Sequence, residues 1–183
     1  LDMNDYLNKL RHPYRRRVKK ALNMREKLFI QEINPEQFSN EHYALYLSIM
    51  NRTANPLETL SIDYFRNYNS KIYEFKDKDT KKILGFIQLK EINHILYFMF
   101  CGFNKEDNNR YDLYYNMLLK IVEDGISNGV KSINFGQTSE ESKLKIGCVE
   151  VPKYLGLHHS NRFINMVIQL LLPLFSYRPY KTT

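Results

Sequence analysis

The chain has 183 residues, 43% of them hydrophobic and 14% aromatic, which is enough to bury one substantial core and too rich in Tyr and Phe for a disordered segment. Its length favours one domain over two, and its net charge of +7 is concentrated: residues 1–27 carry nine Lys and Arg against Asp2, Asp5 and Glu26, while the remainder is nearly neutral. Cys101 and Cys148 have neither Cys-x-x-Cys nor metal-ligand spacing, so no metal is expected and the bland reading is two buried thiols in a reducing compartment.

In chain order, Asn4 is placed to cap a short helix, and Pro13 to occupy the first turn of a second helix running to about Lys27. Tyr14, Val18, Ala21, Leu22 and Arg25 share one face of that helix, and the remaining Arg and Lys fan across the other. A strand over 28–33 ends at Asn34-Pro35. From 36 to about 53, Phe38, Tyr43, Leu45, Tyr46, Ile49 and Met50 suggest a helix, broken by Asn55-Pro56. A short aromatic helix then starts at Leu60 or Ser61 and runs to Tyr68.

Three strands follow, over 71–76, 82–91 and 95–103, joined by the turns Asp77-Lys78-Asp79-Thr80 and Asn93-His94. A helix over 110–128, burying Leu113, Met117, Ile121 and Val122 and closed by Gly129, leads to a strand over 131–135 that would run parallel to its predecessor. A polar elbow, a short helix and another strand over 149–158 complete the pattern. An antiparallel meander that passes into a β-α-β unit predicts an α/β fold with a mixed sheet flanked by helices.

The residues around the elbow carry a resemblance. Phe135-Gly136-Gln137-Thr138, then Glu141, Lys143 and Gly147, then Tyr154-Leu155 and His159-Ser160-Asn161 resemble the C-terminal half of bacterial FemAB-like acyltransferases of the GNAT superfamily. The family pattern there is Phe-Gly/Ala-Arg-Thr/Ser, a Lys, a Gly and a late His-x-Asn. Asp5-Tyr6-Leu7 and Tyr14-Arg15-Arg16-Arg17-Val18-Lys19-Lys20 are similar to the basic helix that opens that half. The resemblance implies a GNAT-like acyl-CoA N-acyltransferase fold over 1–183, as one domain with a basic lead-in at 1–27 and an apolar C-terminal helix at 160–176. It also implies that the chain is the C-terminal half of a longer protein, with an N-terminal half preceding it. The implied reaction moves an acyl or aminoacyl group to an amine. Acetyl-CoA or another acyl-CoA is the donor, with aminoacyl-tRNA as the alternative, and the acceptor is a lipid-linked or cell-envelope precursor. Gln137 stands where the family has Arg, and no Arg/Gln-x-x-Gly-x-Gly/Ala pyrophosphate loop is present.

Residues are assigned to the tasks such a reaction sets, which are positioning, proton removal and carbonyl polarisation. Gln137, Thr138 and Ser139 precede a helix, where they can hold an anion or carbonyl; the competing reading is that Thr138 or Ser139 only caps that helix. Lys143 matches the family Lys and can pair with a phosphate or carboxylate, or lie solvated on the surface. His159 matches the family's late His and is the candidate base, against a role bonding the next helix; Tyr154 is the candidate acid, against a core role. Arg15, Arg16 and Arg17 can hold the phosphates of coenzyme A, tRNA or a lipid-linked precursor, or simply form a solvated face. An anion-binding domain without catalysis is the alternative function. Nothing matches a duplex-DNA motif. The sequence shows no signal-peptide core and no run long enough to span a bilayer, so the expected place is the cytoplasm, with a peripheral position at the inner membrane face if the 163–175 stretch meets lipid rather than protein.

Overall fold

The computed structural model describes residues 2–53, 58–137, 139–153 and 156–175. The chain divides into two compact units, Leu1–Gly147 and Cys148–Thr183. Asn55-Pro56 lies outside the described residues.

The first unit opens with α1 (Met3–Lys9) and α2 (His12–Arg25). Asp2, not Asn4, caps α1, because Asp2 and Asp5 complete a reciprocal capping box one turn apart. Pro13 sits in the first turn of α2, and Val18 and Ala21 form the buried part of its apolar face. Strand β1 (Leu28–Ile33) leads through a turn at Pro35–Gln37 into α3 (Asn40–Met50). The helix expected from residue 36 begins later because Asn34 caps the Pro35 turn and Ser39 starts a second capping box with His42. Then come α4 (Ile62–Asn67), β2 (Lys71–Asp77), β3 (Ile83–Ile92) and β4 (Ile95–Phe103). Asn93 and His94 both take positive φ between β3 and β4, as a tight hairpin turn demands.

The helix expected over 110–128 is two helices, α5 (Lys105–Tyr111) and α6 (Leu113–Ser127), parted at Asp112. Asp112 has φ 53° and ψ 42°, a left-handed conformation that interrupts the helical ladder. Strand β5 (Ser132–Asn134) and helix α7 (Glu140–Lys145) end the unit. The sheet order is β1-β2-β3-β4-β5, antiparallel up to β4 and parallel between β4 and β5. This is the mixed sheet flanked by helices that the element order predicts.

Each face of the sheet has its own cover. Ile33, Phe38, Tyr46, Phe65, Ile72 and Phe86 form an aromatic core under α3 and α4, with Phe38 and Phe65 stacked at 4.7 Å and Phe86 edge-on to Phe38 at 4.8 Å. A Cβ at Gly102 would sit 2.7 Å from the backbone nitrogen of Tyr46, so glycine there is what lets α3 lie directly on β4. Tyr73 points to the opposite face from Ile72, and its hydroxyl donates to Asp124 of α6, which also takes Lys71 at 3.1 Å.

One polar cluster is buried beneath α3. His42 is 2% and Glu74 3% exposed, with Nε2 of His42 2.9 Å from Oε2 of Glu74. The backbone N–H of Ser39 donates to Nδ1 of His42 at 3.1 Å, which leaves the ring proton on Nε2, facing the carboxylate. Lys76 and Gln31 each reach Oε1 of Glu74 at 2.7 Å. Burial holds His42 below its ordinary pKa although Glu74 pulls the other way. Burial alone would raise Glu74, but hydrogen bonds from Lys76 and Gln31, with His42 beside it, hold that carboxyl below its usual range.

The second unit contains no strand among its described residues. The strand expected over 149–158 is therefore absent there: residues 148–153 and 156–159 have no regular structure. Helix α8 (Arg162–Leu171) follows and passes into a 3₁₀ turn at Leu172–Phe175. No helix of the described residues is long and apolar enough to cross a membrane.

Both shifts in the buried cluster have the same consequence on acidification. The unfolded chain binds protons that the folded chain refuses, first at His42 below about pH 6.5 and then at Glu74 below about pH 4.3. The melting temperature is expected to be flat near neutrality and to fall in two stages on acidification. In His42→Gln the upper stage disappears while the lower one stays, as differential scanning calorimetry across pH will read; an unchanged upper stage would refute the assignment.

Candidate functional site

The strongest geometric feature of the first unit is the place where β4 and β5 part. They pair only at Ile95–Ser132, Leu96–Ile133 and Tyr97–Asn134, yet β4 continues to Phe103. Among the described residues, no strand takes up the outer edge of β4 beyond Tyr97. On its other side β4 bulges: Leu89 faces Phe98 and Gln88 faces Phe100, which leaves Met99 as the extra residue. A bulge bends and twists its strand, here at the level where β5 departs. Backbone N–H and C=O groups along that edge need partners, from water or from a ligand that can act as a strand.

Beside this edge lies the elbow. The backbone N–H of Gly136 donates to Oδ1 of Asn134 at 2.9 Å, and Gly136 adopts φ +70°, which turns the chain away from β4. Gln137 and Ser139 are exposed. Ser139 stands at the N-cap position of α7 with φ 52° and makes no side-chain cap bond, so the capping reading is not realised at Ser139. Thr138 lies outside the described residues. The far end of α7 is tied to α1: the hydroxyl of Tyr6 donates to the carbonyl of Ile146 at 2.7 Å.

Lys143 is the buried charge of this region, only 6% exposed. Its ammonium donates to the carbonyls of Gln137 and Gly136, so it holds the elbow from below rather than standing solvated on the surface. Its charge also reaches Cys101 on β4. Burial pushes the Cys101 thiol up to about 12, against the opposing pull of Lys143 and Arg52. Arg52 in turn closes the end of β4, donating to the carbonyl of Phe103 at 2.9 Å.

The basic segment separates into two populations. Arg15 donates to the carbonyls of Asn8 and Leu10, at 2.7 and 3.0 Å, and so fixes the α1–α2 junction. Arg17 forms a two-pronged pair with Asp112 and lies 3.6 Å over the ring of Tyr115; Arg25 forks onto Glu123 in the same way. All three bind α2 to its own unit. Lys9, Arg11, Arg16, Lys19, Lys20 and Lys27 are exposed.

His159 and Tyr154 belong to the second unit, and Tyr154 lies outside the described residues. Nδ1 of His159 accepts from the backbone N–H of Asn161 at 3.0 Å, and the His159 N–H donates to Asn165 at 3.2 Å. Asn161 caps α8 through the N–H groups of Phe163 and Ile164. His159 thus takes the hydrogen-bonding role toward the next helix. The elbow brings Gln137, Ser139 and Lys143 together, whereas Arg15 and Arg17 are committed elsewhere.

Three features escape a reading of the sequence alone: the Met99 bulge, the short β4–β5 pairing and the buried His42–Glu74 pair. A signal existed only for the last, as the Ser39-x-x-His42 spacing of a capping box. An open concavity of ≈ 320 Å³ where β4 meets α5 is lined by Lys82, Asn104, Lys105, Glu106 and Asp107. Lys82 pairs there with Asp107 at 3.1 Å. Two cations against two acids give this hollow no net charge.

No protein-family model matches the chain, and no curated protein matches it. Solved structures do. A Trypanosoma brucei acetyltransferase is 11% identical with a TM-score of 0.50, over 72% of this chain and 99% of that one. An aminoglycoside acetyltransferase from an uncultured soil metagenomic sample, in complex with sisomicin, is 8% identical with a TM-score of 0.52, over 76% and 99%. L-PGS from Bacillus licheniformis is 17% identical with a TM-score of 0.52, over 71% of this chain and 42% of that one. At these identities the likeness concerns the fold, and the fold is that of the GNAT-type acetyltransferases.

The environment of Cys101 has a chemical signature. In a Cys148→Ser protein, the remaining thiol is expected to resist a disulfide reagent at pH 8 while the chain is folded and to react fully once guanidinium unfolds it. Cys101 and Cys148 are both half-buried rather than fully buried, so rapid reaction of the folded protein would contradict the raised pKa.

Proposed function

We propose that this chain transfers an acyl or aminoacyl group, from a thioester or tRNA donor, to an amine acceptor. The observation that carries the reading is the open outer edge of β4 beyond Tyr97, next to the elbow. A donor with amides in its arm, as in an acyl-CoA, can add to such an edge as a short strand, and the backbone N–H groups of β4 can then polarise the acyl carbonyl. Lys143 supplies positive potential under the elbow, favouring the negative charge that develops on the carbonyl oxygen. Gln137 offers both donors and acceptors with which to orient the incoming amine. A Cys101 thiol raised to about 12 is a poor nucleophile at neutral pH, so direct attack by the amine is favoured over a cysteine-bound intermediate.

Within this reading, an acyl-CoA is the preferred donor and a cell-envelope precursor the preferred acceptor. The charge-balanced hollow after β4 offers no particular welcome to a diphosphate, and that keeps aminoacyl-tRNA as the second donor. The six exposed cations of α1, the α1–α2 junction, α2 and the residue leading into β1 favour one rival reading. They suit a domain that holds an anionic partner and performs no reaction, and Gln137 in place of an Arg agrees with it.

Calorimetric titration with acetyl-CoA and CoA at two salt concentrations separates these. Saturable binding that survives the higher salt is expected, because a shaped edge loses less to screening than a charged surface does. Gly136→Val, which cannot hold φ +70° without strain, is expected to lower turnover by roughly tenfold or more while the circular dichroism spectrum stays unchanged. No binding of either compound would remove the coenzyme A reading, and wild-type turnover in Gly136→Val would remove the elbow from the site.

A further inference from the structure

Helix α8 is apolar over most of its circumference and uncovered. Phe163 is 70%, Leu170 72% and Leu174 78% exposed, with Met166 and Val167 between them on the same line. These residues follow one another at three- and four-residue spacing and so form one continuous seam. Arg162, Asn165 and Gln169 make a narrow polar stripe at the same kind of spacing on another side.

The chemistry around the helix selects its occupant. In the sequence of the second unit Glu150 is the one acidic residue; after it come Lys153 and Arg162 before or at the start of the helix, and Arg178 and Lys181 after it, the latter two interleaved with Tyr177 and Tyr180. Cations and tyrosines that bracket an apolar segment match the layering of an anionic bilayer surface, where phosphates meet acyl chains. Ten residues of helix extend about 15 Å, too short to cross the hydrocarbon but long enough to lie in its boundary.

We propose that α8 and the 3₁₀ turn after it insert the Phe163–Leu170–Leu174 seam into the surface of an anionic membrane, with Arg162 and Lys153 facing lipid phosphates. This surface is independent of the transfer reaction and is tested without it.

The full chain is floated with vesicles of phosphatidylcholine alone and of equal parts phosphatidylcholine and phosphatidylglycerol. The wild-type chain is expected to bind the anionic vesicles several times more strongly. Leu170→Gln should weaken binding to both vesicle types by about tenfold, the loss expected from one buried leucine. Arg162→Gln should weaken binding to the anionic vesicles alone, by about fivefold. Because the chain has no Trp, Phe163→Trp gives a single reporter, whose emission should shift to the blue on binding and be quenched by lipids with brominated chains. Three results would each overturn the proposal: no flotation with either vesicle at low salt; flotation that Lys19→Glu/Lys20→Glu abolishes but Leu170→Gln leaves intact; or lipid-free self-association that Leu170→Gln abolishes, which would assign the seam to a second copy of the chain.

Discussion

Three backbone pairings between β4 and β5 govern what the first unit can offer. Had β5 continued alongside β4 to Phe103, the edge would be closed and the elbow would lie beyond the sheet. Instead the pairing begins where the N–H of Lys131 meets the carbonyl of His94 at 2.8 Å and ends within one turn of chain, because Asn134 and Gly136 bend the backbone away. The Met99 bulge twists β4 in the same region. A sheet normally satisfies its edge with another strand, water or a cover; beyond the turn, α7 is tied to α1 by Tyr6 and to the elbow by Lys143.

The same economy applies to the basic segment. Its nine cations look like one binding surface in the sequence, but Arg15, Arg17 and Arg25 spend their guanidiniums on carbonyls and carboxylates of their own unit. Two of these contacts fork onto acids of the α5–α6 region, and Arg17 also covers the ring of Tyr115. Partly buried forked pairs hold their geometry far better than solvated lysines, which is why such positions are occupied by Arg. Charge in the sequence and charge available to a partner are different quantities, and only the second can steer an anion.

The sequence made the regular elements legible wherever one face is apolar and the turn chemistry is local. Strand β1 and strand β4 match their expected limits, and the Asn93-His94 hairpin and the Ser61 start of α4 are where turn and capping residues place them. The misses share a physical origin. Asp112 breaks a helix with one left-handed residue, and hydrophobic periodicity runs straight across such a break because the apolar face resumes on the other side. The bulge at Met99 inserts a residue into a strand whose neighbours on both sides are apolar, so no alternation records it. Val149, Val151 and Leu157 gave the 149–158 stretch the composition of a strand, yet all three are exposed, and apolar residues without a partner strand do not make one. For the candidate site, Gln137, Ser139 and Lys143 were legible as neighbours because they are close in sequence, whereas the open edge beside them depends on residues some forty positions upstream.

Gln137 is exposed at the elbow and carries no charge, and the buried Lys143 beneath it supplies one. An exposed Arg would place its charge in solvent, where screening weakens it. Lys143 carries its charge below the elbow at 6% exposure, and its ammonium is tolerated there because the carbonyls of Gln137 and Gly136 accept its protons. A charge held at low exposure acts through a less screened medium, and the opposing pull on Cys101 is a sign of its reach across to β4. The elbow is therefore not electrostatically neutral, although Gln137 carries no charge. The positive potential sits in the frame of the turn, where it favours negative charge only at a fixed place.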